Sequence, residues 1–154
     1  MTDPENTSAR RFGWVVEFDG KSSHAANTLV AVPIDIPTGT VVGFGAIAKA
    51  PGPRSSMILY TDRAGAPGAL VTFTPPFTLV LGAQTIAPAA PIEVEAGRFW
   101  LAAVYDAQAA IGIDYSDKGA FVMWARHAFG SPPDFFPTPS KFMGQRFNWW
   151  IALL

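Results

Sequence analysis

The chain has 154 residues, a formal net charge of −1 and no cysteine. The net charge gives no indication of a nucleic-acid groove, and the lack of cysteine excludes disulfides, thiolate zinc sites and a cysteine nucleophile. Charged residues make up only 15%, whereas the chain has five Trp and twelve Phe. We therefore expect part of the apolar surface to be covered by other copies or by a larger assembly. The alternative is a monomer with a neutral Ser, Thr, Gly and Pro surface.

In chain order, the polar and aperiodic residues 1–11 predict a flexible arm, followed by a single domain at residues 12–154. Gly and Pro, fourteen of each, then interrupt the sequence at the spacing typical of a sandwich or barrel. No apolar run approaches the ~20 residues of a membrane helix. Segments with strand character are Phe12–Phe18, Thr28–Ile36, Thr40–Ala50, Ser55–Asp62, Ala69–Thr74, Phe77–Leu81, Ile92–Glu95, Arg98–Asp106, Ala109–Tyr115, Ala120–Phe129 and Gln145–Leu154.

Two of these segments have informative patterns. Alternation of Trp14, Val16 and Phe18 with more polar neighbours predicts a half-buried edge strand. The strand from Phe99 to Tyr105 is apolar on both sides, which predicts a central position. A helix over Arg98–Ile111, between Gly97 and Gly112, is the one alternative, although its aromatic residues favour a strand. We predict an all-β, jelly-roll-like antiparallel β-sandwich of about nine or ten strands.

The middle of the chain carries two motifs. Residues 58–62 read Ile-Leu-Tyr-Thr-Asp and precede Gly-Ala-Pro-Gly-Ala-Leu at 65–70, and residues 95–102 read Glu-Ala-Gly-Arg-Phe-Trp-Leu-Ala. This pattern resembles jelly-roll sandwich modules of bacterial surface and secreted proteins and of phage tail appendages. It departs from them at Arg98, where a small polar residue is usual, and at Phe99, where tyrosine is usual. The resemblance implies attachment, glycan contact or a structural role, without catalytic residues.

Motifs for cofactors and catalysis are weak. Gly43-Phe44-Gly45-Ala46-Ile47-Ala48 fits a dinucleotide fingerprint, but prolines at 51 and 53 leave no room for the helix that binds the pyrophosphate. Glycines in a strand that another segment approaches closely are the better interpretation. Asp114 and Asp117, with Asp106 across a hairpin, could supply oxygen ligands to calcium, although polar turns with Asp are far commoner. We find no nucleophile elbow and no placed carboxylate pair, and so predict no catalytic residue.

Aromatic residues are the strongest candidates for contact with a partner. Trp149 and Trp150 are adjacent on a predicted strand, so their rings must point to opposite faces, and at most one can serve the main core. Phe135 and Phe136 lie in the proline-stiffened stretch 131–140, which either presents them to a partner or folds back to plug the sandwich. Trp124 completes the predicted contact set.

We therefore expect a non-catalytic β-sandwich that acts by surface contact, as a homo-oligomer or as an assembly subunit of an appendage-like or extracellular structure. A carbohydrate-binding module that uses exposed Trp, Phe or Tyr is the alternative, and an enzyme of unrecognised type is the third. The resemblance favours a cell-surface, extracellular or virion-associated location, although Met1–Arg11 lacks the apolar segment of a secretory signal.

Overall fold

A computed structural model describes residues 9–154, which form two antiparallel β-sheets packed against each other and contain no helix. The all-β sandwich prediction is confirmed. The described residues contain fifteen strands, more than the nine or ten predicted, because several have only two to five residues. They are β1 (Arg10–Gly13), β2 (Gly20–His24), β3 (Thr28–Ile36), β4 (Gly39–Ala48), β5 (Arg54–Arg63), β6 (Ala66–Phe73), β7 (Phe77–Thr78), β8 (Gly82–Ile86), β9 (Ile92–Val94), β10 (Gly97–Tyr105), β11 (Ala109–Asp114), β12 (Phe121–Arg126), β13 (Ser140–Met143), β14 (Arg146–Phe147) and β15 (Trp149–Leu153).

Each sheet has a central path of strands with shorter strands attached. Sheet 1 has eight strands in the order β1-β15-β4-β11-β14, with β2 also paired to β11, and β8 and β9 paired to β4. Sheet 2 has seven strands in the order β13-β12-β3-β10-β5-β6, with β7 paired to β5. No helix in the described part of the chain is long and apolar enough to cross a membrane.

Strand β10 shows why sheet 2 is buried on both faces. It lies between β3 and β5, so the central position predicted from its sequence is confirmed. Leu101, Ala103 and Tyr105 enter the main core between the sheets, whereas Trp100 and Ala102 enter a second apolar cluster on the outer face. A helix would not place alternate residues on opposite faces in this way. The alternative helix over Arg98–Ile111 is therefore wrong, because this stretch forms β10 and β11, which belong to different sheets.

The proline-rich loop after β12 covers this second cluster. Phe136 is buried with its ring edge-on to Tyr60, at 5.3 Å between centroids. The Tyr60 hydroxyl donates to the Pro133 carbonyl at 3.0 Å. Phe135 remains 64% exposed while its backbone bridges to Ala69 on the outer edge of β6. The loop therefore folds back onto the protein, but over the outer face of sheet 2 rather than into the end of the sandwich.

Trp150 lies on the opposite face of β15 from Trp149 and is nevertheless only 1% exposed. Its indole packs directly against Gly45 of β4, where an added Cβ would fall 1.8 Å from the ring. The Arg11 guanidinium lies 5.9 Å from the Trp150 ring centroid. Gly45 thus allows close packing, which agrees with the interpretation of Gly43–Ala48 as a strand. Strand β4 runs through this segment, and no helix follows it among the described residues.

The N-terminal region differs from the prediction. Of the arm expected at residues 1–11, residues 1–8 lie outside the described part, whereas Arg10 and Arg11 belong to β1. The predicted strand Phe12–Phe18 ends at Gly13, and Val16 is 78% exposed. The apolar alternation there belongs to an irregular segment. Its backbone forms hydrogen bonds with the side chain of Asn148 instead of the regular ladder of a strand.

Candidate binding cleft

A cleft of about 390 Å³ opens between one edge of each sheet. Its walls come from β2, β11 and β14 of sheet 1 and from β3, β12 and β13 of sheet 2. This volume falls within the range of small-molecule sites. Side chains that line it are Ser22, Ser23, His24, Thr28, Val30, Ile113, Tyr115, Val122, Trp124, Arg126, Phe142, Gln145 and Phe147.

Aromatic side chains flank the cleft on both sheets. Trp124 of β12 and Phe142 of β13 have nearly parallel rings, 5.8 Å apart and inclined by 13°. Phe142 is 52% exposed and Tyr115, which follows β11 on the other sheet, is 53% exposed. Both sides of the cleft thus contribute partly exposed aromatic side chains to its lining, and aromatic rings are suited to a ligand with apolar faces.

A hydrogen-bonded polar pair from β2 also lines the cleft. Ser22 and His24 alternate with exposed neighbours, so both point inward from the strand. The Ser22 hydroxyl donates to the Ile111 carbonyl at 2.8 Å and lies 2.9 Å from Nε2 of His24. Because the hydroxyl proton is already committed to a carbonyl, Nε2 must carry a proton and donate it to Ser22.

Burial keeps His24 neutral. The rings of Tyr105, Phe147 and Trp149 surround the imidazole, and burial lowers the pKa of His24 from 6.5 to about 4. Burial also raises the pKa of Tyr105, which therefore stays uncharged. The free nitrogen of His24, Nδ1, does not face Ser22. The pair is thus not arranged as a nucleophile with its general base, which needs the base lone pair directed at the hydroxyl.

The predicted contact residues separate into three groups. Trp124 lines the cleft. Trp149, Trp150 and Phe136 are buried inside the chain, so they are not available to a partner on the described surface. Phe135 is exposed, but it lies beside β6 at the far edge of sheet 2 from β13.

The three aspartates proposed as calcium ligands do not come together. Asp106 does not lie across a hairpin from Asp114, because β10 and β11 belong to different sheets and the two residues flank opposite ends of β11. Asp106 accepts from the Arg54 backbone N–H. The Arg146 guanidinium and the Gly119 backbone N–H hold the pKa of Asp117 below its ordinary value. Among residues 9–154 there is no group of three or more His, Asp or Glu that could hold a metal ion.

Several cleft residues have no signal in the sequence. Strand β2 was not predicted, because its inward side chains are Ser22 and His24 rather than apolar residues. The predicted strands do not include β13, and Phe142 lies between the predicted loop 131–140 and the predicted strand Gln145–Leu154.

Comparison with known proteins adds no identification. No family model matches the chain, and no curated protein is significantly similar to it.

Proposed function

We propose that this protein is a non-catalytic binding module that holds a saccharide in the cleft between the sheet edges. The observation that carries the proposal is that the parallel Trp124–Phe142 pair and Tyr115 line one cleft together with polar side chains. Sugar rings have apolar faces that pack on aromatic rings, and hydroxyls that need hydrogen-bond partners. Gln145 and Thr28 supply such partners at the walls.

The chemistry of the cleft supports binding without catalysis. His24 is the one histidine that lines it, and its low pKa and committed Nε2 proton make it a poor base at neutral pH. No carboxylate among residues 9–154 lines the cleft, so the acid pair of a glycosidase has no counterpart among the described lining residues.

We expect Phe142→Ala and Trp124→Ala each to weaken saccharide binding by about tenfold or more, because each removes part of the stacking surface. A glycan array identifies the ligand, and titration calorimetry measures its affinity for each variant. Phe135→Ala is the matched control, since it removes an exposed phenylalanine outside the cleft. Wild-type protein that binds no glycan on the array, or equal affinity in Phe142→Ala and Phe135→Ala, would contradict the proposal.

Strand β13 supports a second candidate function, assembly with further copies of the chain. It is an edge strand whose four residues are all exposed, including Met143 at 57%. The opposite edge of sheet 2 is covered by the loop at Phe135, whereas β13 has no partner on its outer side among the described residues. Two copies related by a two-fold axis could pair these edges antiparallel and extend sheet 2.

For this candidate, light scattering at tens of micromolar should give the mass of a dimer or larger species. Met143→Lys adds a second cation beside Lys141 on each facing edge, so it should shift the protein towards monomer. Val16→Lys changes an exposed apolar residue in the irregular segment after β1, outside β13, and should leave the mass unchanged. A wild-type protein that stays monomeric over this range rules out assembly through β13.

A further inference from the structure

The charge of the cleft comes from one residue. Arg126 is exposed at the end of β12, and it is the one charged side chain among the lining residues. The buried imidazole of His24 adds no second charge at neutral pH. Among the described lining residues, a bound ligand therefore meets one positive group and no negative group.

The guanidinium of Arg126 has no protein partner in the part of the chain that the structure describes. The ion pairs there are Lys49–Glu17, Arg98–Asp35 and Arg146–Asp117. Arg10, Arg11 and Arg54 place their guanidinium groups over aromatic rings. Arg126 does neither, so no residue of the described chain engages its five N–H donors.

The position of Arg126 relative to the stacking surface is set by the strand. Trp124 and Arg126 are two residues apart on β12, so their side chains project from the same face and are separated by about 7 Å along the strand. A ligand that stacks on Trp124 therefore brings a substituent of its ring within reach of the guanidinium. The planar fork of arginine matches a carboxylate in two parallel hydrogen bonds.

From this arrangement we infer that the cleft selects an acidic saccharide, with a sugar ring against Trp124 and Phe142 and its carboxylate on Arg126. The inference rests on the proposed function, because it names the ligand class of the same cleft.

The experiment compares each acidic oligosaccharide with its own methyl ester. The probes are oligogalacturonides and sialylated oligosaccharides, printed beside their esters and beside neutral glycans, and hits are measured by calorimetry. Esterification keeps the shape of the sugar and removes the charge. Wild-type protein should bind the acid at least about tenfold more tightly than the ester, and less tightly as salt is raised.

Two variants separate charge recognition from general electrostatics. Arg126→Gln should abolish the preference, so that the acid and its ester bind with equal affinity. Arg63→Gln removes the same charge from the β5–β6 turn at the opposite end of sheet 2, and should retain the preference. Equal binding of acid and ester, hits confined to neutral glycans, or an unchanged preference in Arg126→Gln would overturn the inference and leave saccharide binding intact. No binding of any glycan would overturn both.

Discussion

Replacement of Asn148 with alanine is expected to lower the free energy of unfolding by about 3 kcal/mol. Asn148 is fully buried, and its side chain makes three hydrogen bonds to the backbone of the irregular segment that follows β1. Its Nδ2 donates to the carbonyls of Trp14 and Val16 at 3.0 and 2.8 Å, and its Oδ1 accepts from the Phe18 N–H at 2.9 Å. Alanine leaves these groups without their partner.

Asn148 also has a defined position in sheet 1. Asn148 lies where the chain passes from β14 to β15. Its backbone N–H donates to the Gly112 carbonyl of β11 and its carbonyl accepts from the Ile47 N–H of β4, so it connects these two strands. A Cβ at Gly112 would lie 2.1 Å from Oδ1 of Asn148. Gly112→Ala should therefore displace the same side chain without removing it, and lower stability in the same direction.

Urea unfolding of the variants, with hydrogen exchange of the Phe18 amide, measures the effect. Thr38→Ala is the control, because Thr38 makes a single exposed bond of the same kind, to the Ala96 N–H, and should cost less than about 1 kcal/mol. An Asn148→Ala variant as stable as Thr38→Ala would show that the segment does not depend on this side chain.

The second large effect is a loss of stability as the pH falls from 6.5 to 4. The unfolded chain protonates His24 near pH 6.5, whereas burial delays protonation in the folded protein to about pH 4. The unfolded state binds more protons in this window, so stability falls with decreasing pH, by about 3 kcal/mol over the whole window. Above pH 6.5 the contribution is complete.

The pH dependence can be assigned by using the two histidines of the chain. Urea unfolding at pH 7.5, 6, 5 and 4.5 should show a flatter profile for His24→Gln than for the wild type. His127→Gln is the matched control, because the His127 ring contacts the Ser131 carbonyl at an exposed position. Parallel profiles for wild type and His24→Gln would mean that another group causes the acid sensitivity.

The sequence predicts those parts of the fold in which burial follows a simple period. Strand β3 has the predicted bounds Thr28–Ile36, and β10 is apolar on both sides because both faces of sheet 2 are covered. The same reasoning fails for residues 14–18, where apolar alternation occurs without a strand. Here the partner is a side chain more than 100 positions away, which no local pattern reveals.

Of the residues that line the cleft, the sequence predicts only Trp124 as a contact residue. The others were missed because local sequence patterns do not reveal them. Other walls of the cleft come from β2, whose inward residues are polar, and from β13, a short exposed edge. Trp150 was expected to need a covering layer or a partner. Its cover instead depends on the absence of a side chain at Gly45, which becomes meaningful only when β4 and β15 are known to pair.

The loop between β12 and β13 covers the outer face of sheet 2, and this cover limits where the protein can accept an inserted sequence. The turn at Ala64-Gly65 is exposed, has positive φ at both residues, and has open space at the Gly65 Cβ position, so a displayed peptide inserted there disturbs no packing. An insertion between Pro132 and Phe136 would lift the cover from Tyr60 and free the edge of β6. Engineering of multivalent or tagged forms should therefore use the β5–β6 turn.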